Sequence, residues 1–228
     1  MDERKNFAVA IDGPSGAGKS TLARSVAREL GAVYVDTGAI YRTVGYCAWR
    51  RGIDPGAAEE IRALLPEIQV TMDYDADGLQ RMYLNGEDVT KEIRLPQISM
   101  YASRVSALPE VRAFLMDMQR DMARRYSVVM DGRDIGTVVL PQADVKIFLT
   151  ASVEDRARRR WEELKERGTP KDFGDLLEEI RQRDYNDTHR AASPLRAAED
   201  AVYLDTTGNT FEKSRGQILE IIKERIGQ

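Results

Sequence analysis

The chain has 228 residues but only one cysteine, Cys47, and one histidine, His189. A lone cysteine excludes an intrachain disulfide, which agrees with a reducing cytoplasm. Cys47 falls in an apolar helical stretch and reads as core packing. His189 adjoins Arg190 and reads as a surface residue rather than a general base. No apolar run approaches the length that crosses a bilayer. The start, Met1-Asp2-Glu3-Arg4-Lys5, is not followed by an apolar signal region. The expectation is therefore a cytoplasmic protein with no membrane partner. Positive charge is not in excess: 34 Lys and Arg stand against 38 Asp and Glu, a net charge of −4. That balance speaks against a large nucleic-acid footprint but leaves room for local arginine clusters around a small anion. There are no repeats and no low-complexity tracts. The remaining composition, 42% hydrophobic and 32% charged, suits one globular domain with room for an insertion.

What the chain does have is Gly13-Pro14-Ser15-Gly16-Ala17-Gly18-Lys19-Ser20, followed by Thr21. It fits the phosphate-cradling pattern G-x-x-x-x-G-K-[ST]. The flanks fit as well. Residues 7–11 are a short apolar run that reads as a buried strand. Residues 21–30 read as a helix, with Leu22, Val26 and Leu30 at four-residue spacing. Glycines let the backbone approach an anion closely, and successive N–H groups converge on it at the positive end of a helix. Lys19 would reach the β/γ-phosphates and the Ser20 hydroxyl would ligand Mg²⁺.

Further strands predicted at 33–35, 128–130, 145–149 and 202–204 alternate with helices predicted at 40–51, 57–65, 96–106, 109–125, 153–166, 176–191 and 211–226. That alternation predicts an α/β fold, a P-loop-type parallel sheet of about five strands flanked by helices. Strands predicted at 68–71 and 79–84, with turn chemistry at Asp77-Gly78 and Asn85-Gly86, interrupt it. They are read as a small antiparallel β insertion over 67–94 in an otherwise single domain, 1–228. The arginine-bearing stretch 156–173, broken at Gly168-Thr169-Pro170-Lys171, is read as a helical lid. Ligands in such sheets sit at the carboxyl ends of the strands. Gly13, Asp36 and Asp131 all fall there, so they should share one crevice.

Four constellations surround that crevice. Thr37 would cap a helix in Asp36-Thr37-Gly38-Ala39-Ile40-Tyr41-Arg42, with Arg42 a turn and a half in, making a second phosphate site. In Asp131-Gly132-Arg133-Asp134, Asp131 stands where a carboxylate would steer Mg²⁺, Arg133 would face phosphate and Asp134 a polar substrate group. Arg183, Asp187 and Arg190 fall on one helical face and suit a ligand carrying phosphate and hydroxyl groups. Arg156, Arg158, Arg159 and Arg160 sit on the lid stretch, with 156, 159 and 160 sharing a face.

With these residues together the chain resembles the bacterial cytidylate kinases, nucleoside monophosphate kinases that pass phosphate from ATP to CMP or dCMP. The resemblance runs almost end to end. It is most specific in Asp12-Gly13-Pro14-Ser15-Gly16-Ala17-Gly18-Lys19, Gly38-Ala39-Ile40-Tyr41-Arg42, Asp131-Gly132-Arg133-Asp134-Ile135-Gly136-Thr137-Val138-Val139 and Val145-Lys146-Ile147-Phe148-Leu149. It implies that the β unit belongs to the monophosphate-binding region. It implies that Ser103, Arg112 and Asp134 read the cytosine ring, with Thr37 standing where the family often has serine. Arg42, Arg133 and Arg183 would contact the acceptor phosphate, Asp187 and Arg183 the sugar, and Arg190 a phosphate. Lys19, Asp131, Arg133 and Arg183 form the expected catalytic set. The loop 13–21 with Arg156 and Arg159 forms the expected ATP site, and Ser20 the expected Mg²⁺ ligand. The resemblance also implies a monomer. Three other readings remain open on the residues alone, one of them a monophosphate kinase for AMP, UMP or dTMP, against which only the resemblance argues. A hydroxyl kinase of the shikimate or gluconate type would make Asp36 important in deprotonating an alcohol. A guanine-nucleotide switch needs Asn-Lys-x-Asp, and none of Asn6, Asn85, Asn186 or Asn209 is followed by lysine.

Overall fold

The computed structural model describes residues 6–166 and 168–227. Met1-Asp2-Glu3-Arg4-Lys5, read above for its lack of a signal region, lies outside the described residues, as do positions 167 and 228. The chain runs β1 (Ala8–Asp12), α1 (Lys19–Leu30), β2 (Val33–Asp36), α2 (Thr37–Arg50), α3 (Ala58–Leu64), β3 (Val70–Tyr74), β4 (Gln80–Leu84) and β5 (Glu87–Asp88). It continues through α4 (Pro96–Val105), α5 (Pro109–Arg125), β6 (Val128–Gly132), β7 (Val145–Thr150), α6 (Val153–Glu166), α7 (Phe173–His189), β8 (Val202–Asp205) and α8 (Phe211–Ile226).

Five strands pair in the order β2-β6-β1-β7-β8, all parallel. The order β3-β4-β5 forms a separate antiparallel sheet. The alternation read from the sequence thus gives the expected α/β fold. Each parallel strand sends alternate residues to opposite faces. Val9, Ile11, Val129, Ile147 and Leu149 face Leu22, Val26, Ile218 and Ile222 of α1 and α8. Ala10, Val35, Val128 and Met130 face the other way, into a core with Ile40, Val44, Ile98 and Leu115. Helices cover both faces, which is why β6 enters as an unbroken apolar run. Cys47 is buried in the second of these cores, as its apolar neighbours implied. α2 and α4 approach so closely that a Cβ on Gly45 would lie 2.8 Å from the Ala102 nitrogen.

Some boundaries differ from the sequence reading. α7 begins at Phe173 because Asp172 caps it, accepting from the Asp175 N–H at 3.1 Å. β5 and a single π-type turn at Ile135–Val139 were not anticipated. The first is only two residues long, and the second carries no hydrophobic period that would announce it.

Candidate active site

The strand order sets β2, β6 and β1 side by side, so Asp36, Asp131 and Gly13 lie together at the carboxyl ends of neighbouring strands. Gly13 has φ +150°, and a Cβ there would fall 1.9 Å from the Leu149 carbonyl oxygen on β7. No other residue lets the loop leave the strand so close to its neighbour. Gly18, in the left-handed region at φ 85°, starts α1 with no side-chain cap. The first N–H groups of α1 are thereby left for a ligand. Lys19 is buried, and its ammonium donates to the Pro14 carbonyl at 2.7 Å. Burial, then the nearby Arg133, holds its pKa well below the ordinary lysine range. Ser20 and Thr21 open to solvent on the first turn of α1. The Ser20 hydroxyl donates to Asp131 Oδ2 at 2.9 Å, and the Tyr34 hydroxyl donates to Asp131 Oδ1 at 2.8 Å. Burial, then the charge on Asp36, pushes the Asp131 carboxyl up.

The expected cap of α2 is corrected. Asp36, not Thr37, caps that helix, accepting from the Ala39 N–H at 2.9 Å. A β-region residue with a short carboxylate at the strand end is the better cap. Thr37 is already inside the helix and turns its hydroxyl to donate to the Asp131 carbonyl at 2.7 Å. Asp36 also pairs with Arg94 at 2.7 Å. Burial pushes its carboxyl up, but Arg94 and Arg42 outweigh that and hold it below the usual range.

A second cluster gathers most of the remaining expected residues. Arg133 Nε donates to Asp187 Oδ2 at 2.9 Å. Arg42 Nε and Arg183 Nε are buried without a hydrogen-bond partner. Burial lowers the pKa of both guanidiniums, and Arg133 and Arg160 depress both further. Four guanidiniums thus gather here: Arg133 pairs with Asp187 and Arg160 with Glu163 at 2.7 Å, while Asp36 and Asp187 only partly offset the charge on Arg42 and Arg183. Beyond them Arg112 pairs with Asp134, both almost wholly buried, and Arg190 Nη2 lies 3.6 Å from Asp134 Oδ1. Ser103, half-buried on α4, joins through that helix: its carbonyl accepts the Ser106 hydroxyl at 2.9 Å, and Ser106 O accepts Arg112 Nη1 at 3.1 Å. His189 is exposed and stacks on Tyr185, away from the chemistry.

The arginines of α6 divide. Arg156 is buried and bonds the Ser15 carbonyl at 3.0 Å and Asp184 at 2.6 Å. Arg159 donates to the Thr206 carbonyl at 2.8 Å and pairs with Asp155 at 2.6 Å. Both guanidiniums are engaged by protein and brace the loop from behind. Arg158 points to solvent. Arg160, which the sequence reading placed on the same face without a role, is the one beside Arg42 and Arg183.

A family model described as cytidylate kinase matches residues 9–224. The chain belongs to the cytidylate kinase family. Among curated relatives, the cytidylate kinase of Caldicellulosiruptor saccharolyticus is 48% identical over 98% of this chain and 98% of its own length. That of Desulfitobacterium hafniense is 47% identical over 98% of this chain and 95% of its own. Among solved structures, an uncharacterized protein from Eubacterium ventriosum shares the fold, with a TM-score of 0.54 and 12% identity over 97% of this chain and 100% of that one. As a member of this family the chain shows several site residues that motif reading passed over. Tyr34 anchors Asp131. Gln80 of β4 accepts from the Asp36 N–H at 2.8 Å and donates to its carbonyl at 3.2 Å. Asp12 accepts from the Ile135 N–H at 2.8 Å and the Gly136 N–H at 2.7 Å. Asp12 ends a strand as Asp36 and Asp131 do, and that position was a signal that could have found it.

Proposed function

We propose that this chain transfers the γ-phosphoryl group of ATP to CMP or dCMP, giving CDP or dCDP and ADP, by in-line displacement with Mg²⁺. Its place is pyrimidine nucleotide metabolism. The observation that carries the reading is the gathering of Arg42, Arg133, Arg160 and Arg183: Arg133 pairs with Asp187 and Arg160 with Glu163, while Arg42 Nε and Arg183 Nε stay buried without a hydrogen-bond partner, and the buried Arg112–Asp134 pair completes the set. One end of the crevice suits a polyphosphate, the middle a second phosphate, and the far end a polar ring.

The acceptor is a phosphate monoester whose second pKa is near 6. Its attacking oxygen is ionised at neutral pH, so no general base is needed. Catalysis reduces to alignment, exclusion of water and neutralisation of charge. Lys19 serves the β/γ-phosphates, while Arg42, Arg133 and Arg183 draw in the acceptor phosphate. Arg160 closes on the transferring group from the lid, 156–173. Arg156 and Arg159 shape the wall of the ATP site, 13–21. Asp187 with Arg183 takes the sugar, and Arg190 a phosphate. Asp134 accepts from the cytosine amino group, and Arg112 donates to its ring nitrogen. Ser103 and Thr37 line the same pocket, against which the insertion, 67–94, packs through Gln80 and Asp36. A hydroxyl and a carboxylate are the oxygen donors a hard divalent cation takes. Ser20 would hold Mg²⁺, with Asp131 orienting Ser20 behind it. Among the described residues no group of three or more His, Cys, Asp or Glu side chains could hold a metal unaided. Phosphate oxygens and water would fill the rest of the shell. When bound, the ion neutralises charge on the β/γ-phosphates. The crevice is complete within one chain, which supports action as a monomer, and the two nucleotide substrates support a cytoplasmic setting. Among the described residues no helix is long and apolar enough to cross a membrane.

An alcohol kinase would need a free carboxylate base. Asp36, the carboxylate such a kinase would use here, is spent on a helix cap and Arg94, and its lowered pKa makes it a poor base. The test is ADP release from ATP and Mg²⁺ with CMP, dCMP, UMP, AMP or shikimate as separate acceptors. Strong turnover with CMP and dCMP and weak turnover with UMP is expected. Equal rates across nucleotides, or a rate with shikimate, would reject the substrate assignment.

A further inference from the structure

An aspartate at the N-cap of a helical turn commonly accepts from the backbone N–H two or three residues on. Asp134 stands in that position before the π-type turn Ile135–Val139, yet its side chain makes no capping bond. Its carboxylate instead faces Arg112 and Arg190. The two N–H groups it leaves are taken by Asp12, one on each carboxylate oxygen, from a strand 123 and 124 residues away. At the other end of the turn Arg120 donates to the Val138 and Val139 carbonyls, each at 3.1 Å. The turn is therefore held at both ends by side chains from elsewhere, and its first residue is released. Single π-type turns are uncommon and tend to mark functional sites.

We propose that Asp12 is the positioning residue of the base-reading carboxylate, capping the turn in place of Asp134 so that Asp134 stays turned towards the acceptor ring. This rests on the reading of Asp134 given above. Asp12 also directly precedes Gly13, so one buried carboxylate joins the ATP loop to the ring pocket. In Asp12→Asn one acceptor survives, and an NH₂ group opposes the second N–H. Where that N–H is the one on Gly136, two residues after Asp134, the Asp134 carboxylate is in the N-cap position to accept it. Asp134 folding back to cap its own turn would abandon the ring.

The experiment is the ratio of kcat/KM for CMP to that for UMP in the parent, Asp12→Asn, Asp134→Asn and the double variant, with thermal melts to show that each is folded. Asp134→Asn should lower the ratio about tenfold or more, the range expected when a buried polar pairing is lost. Asp12→Asn should lower it about threefold to tenfold. The double variant should be no worse than Asp134→Asn alone, because both act through one carboxylate. A folded Asp12→Asn with the parental ratio would overturn the proposal, as would losses that multiply in the double variant. A parental ratio in Asp134→Asn would instead reject the ring reading itself, and the role of Asp12 with it. Amide exchange in the unaltered protein gives a test that needs no variant. The Ile135 and Gly136 amides should be protected without nucleotide, and rapid exchange at both would overturn the cap.

Discussion

Replacing Arg183 by methionine removes a charge while keeping most of an apolar stem. Burial, then the neighbouring Arg133, pushes the Arg183 guanidinium from its ordinary value down to about 10. That drop amounts to about 3 kcal/mol against the charged form. An arginine whose folded value lies below its unfolded value weighs on stability at every pH below about 10. The burden is therefore fully present at neutral pH and fades only above that point. Arg183 keeps some exposed surface, so solvent screens part of the penalty, in which its attraction to Asp187 is already counted. A net gain of about 1 kcal/mol remains, or about 2–4 °C in melting temperature for a chain of this size. Turnover moves the other way. Loss of one fixed cation from a transferring phosphate costs about 3–4 kcal/mol, a fall of 10²- to 10³-fold in kcat. Melts without nucleotide and steady-state ADP release on the same preparation check both. Saturating CMP should reverse the order of the melts, because the parent gains more from the anion. A variant several degrees less stable without ligand would refute the view that these arginines are held under mutual repulsion. An unchanged kcat would remove Arg183 from the transfer step.

Tyr34→Phe deletes one hydrogen bond to the buried Asp131 carboxylate; about 1–3 kcal/mol of stability should be lost, and the Mg²⁺ concentration for half-maximal rate should rise several-fold. Melts and a Mg²⁺ titration test this, and no change in either would show that Tyr34 does not steady Asp131. Because the acceptor oxygen ionises near pH 6 without help from the protein, kcat/KM for CMP should fall below about pH 6 and stay level from about 7 to 9. A rise between pH 7 and 8 would reveal a general base.

Local pattern and global fold contributed unequally to this site. The glycine loop was legible because its constraints are short-range: φ at Gly13 and Gly18, a lysine and a hydroxyl within one turn. Asp131 was legible for the same reason, as the carboxylate closing an apolar strand. The jobs of the strand-end carboxylates were not. Asp131 meets Ser20 across 111 residues, Asp36 meets Arg94 across 58, and Asp12 meets Ile135 across 123. Those partners depend on β6 lying between β2 and β1, an order that alternating strands and helices do not specify. Helical spacing likewise placed Arg156, Arg159 and Arg160 on one face, but which of them meets the crevice depends on how α6 rolls against the glycine loop and Asp184. Thr37 and Asp36 show the same limit at the smallest scale: either could have capped α2, and Arg94, Gln80 and the Asp131 carbonyl decided between them. Three aspartates of one type at three parallel strand ends thus do three different things, one holding the Ser20 hydroxyl, one a helix and one a turn. What separates them is the partner each meets, and the partner is a property of the sheet.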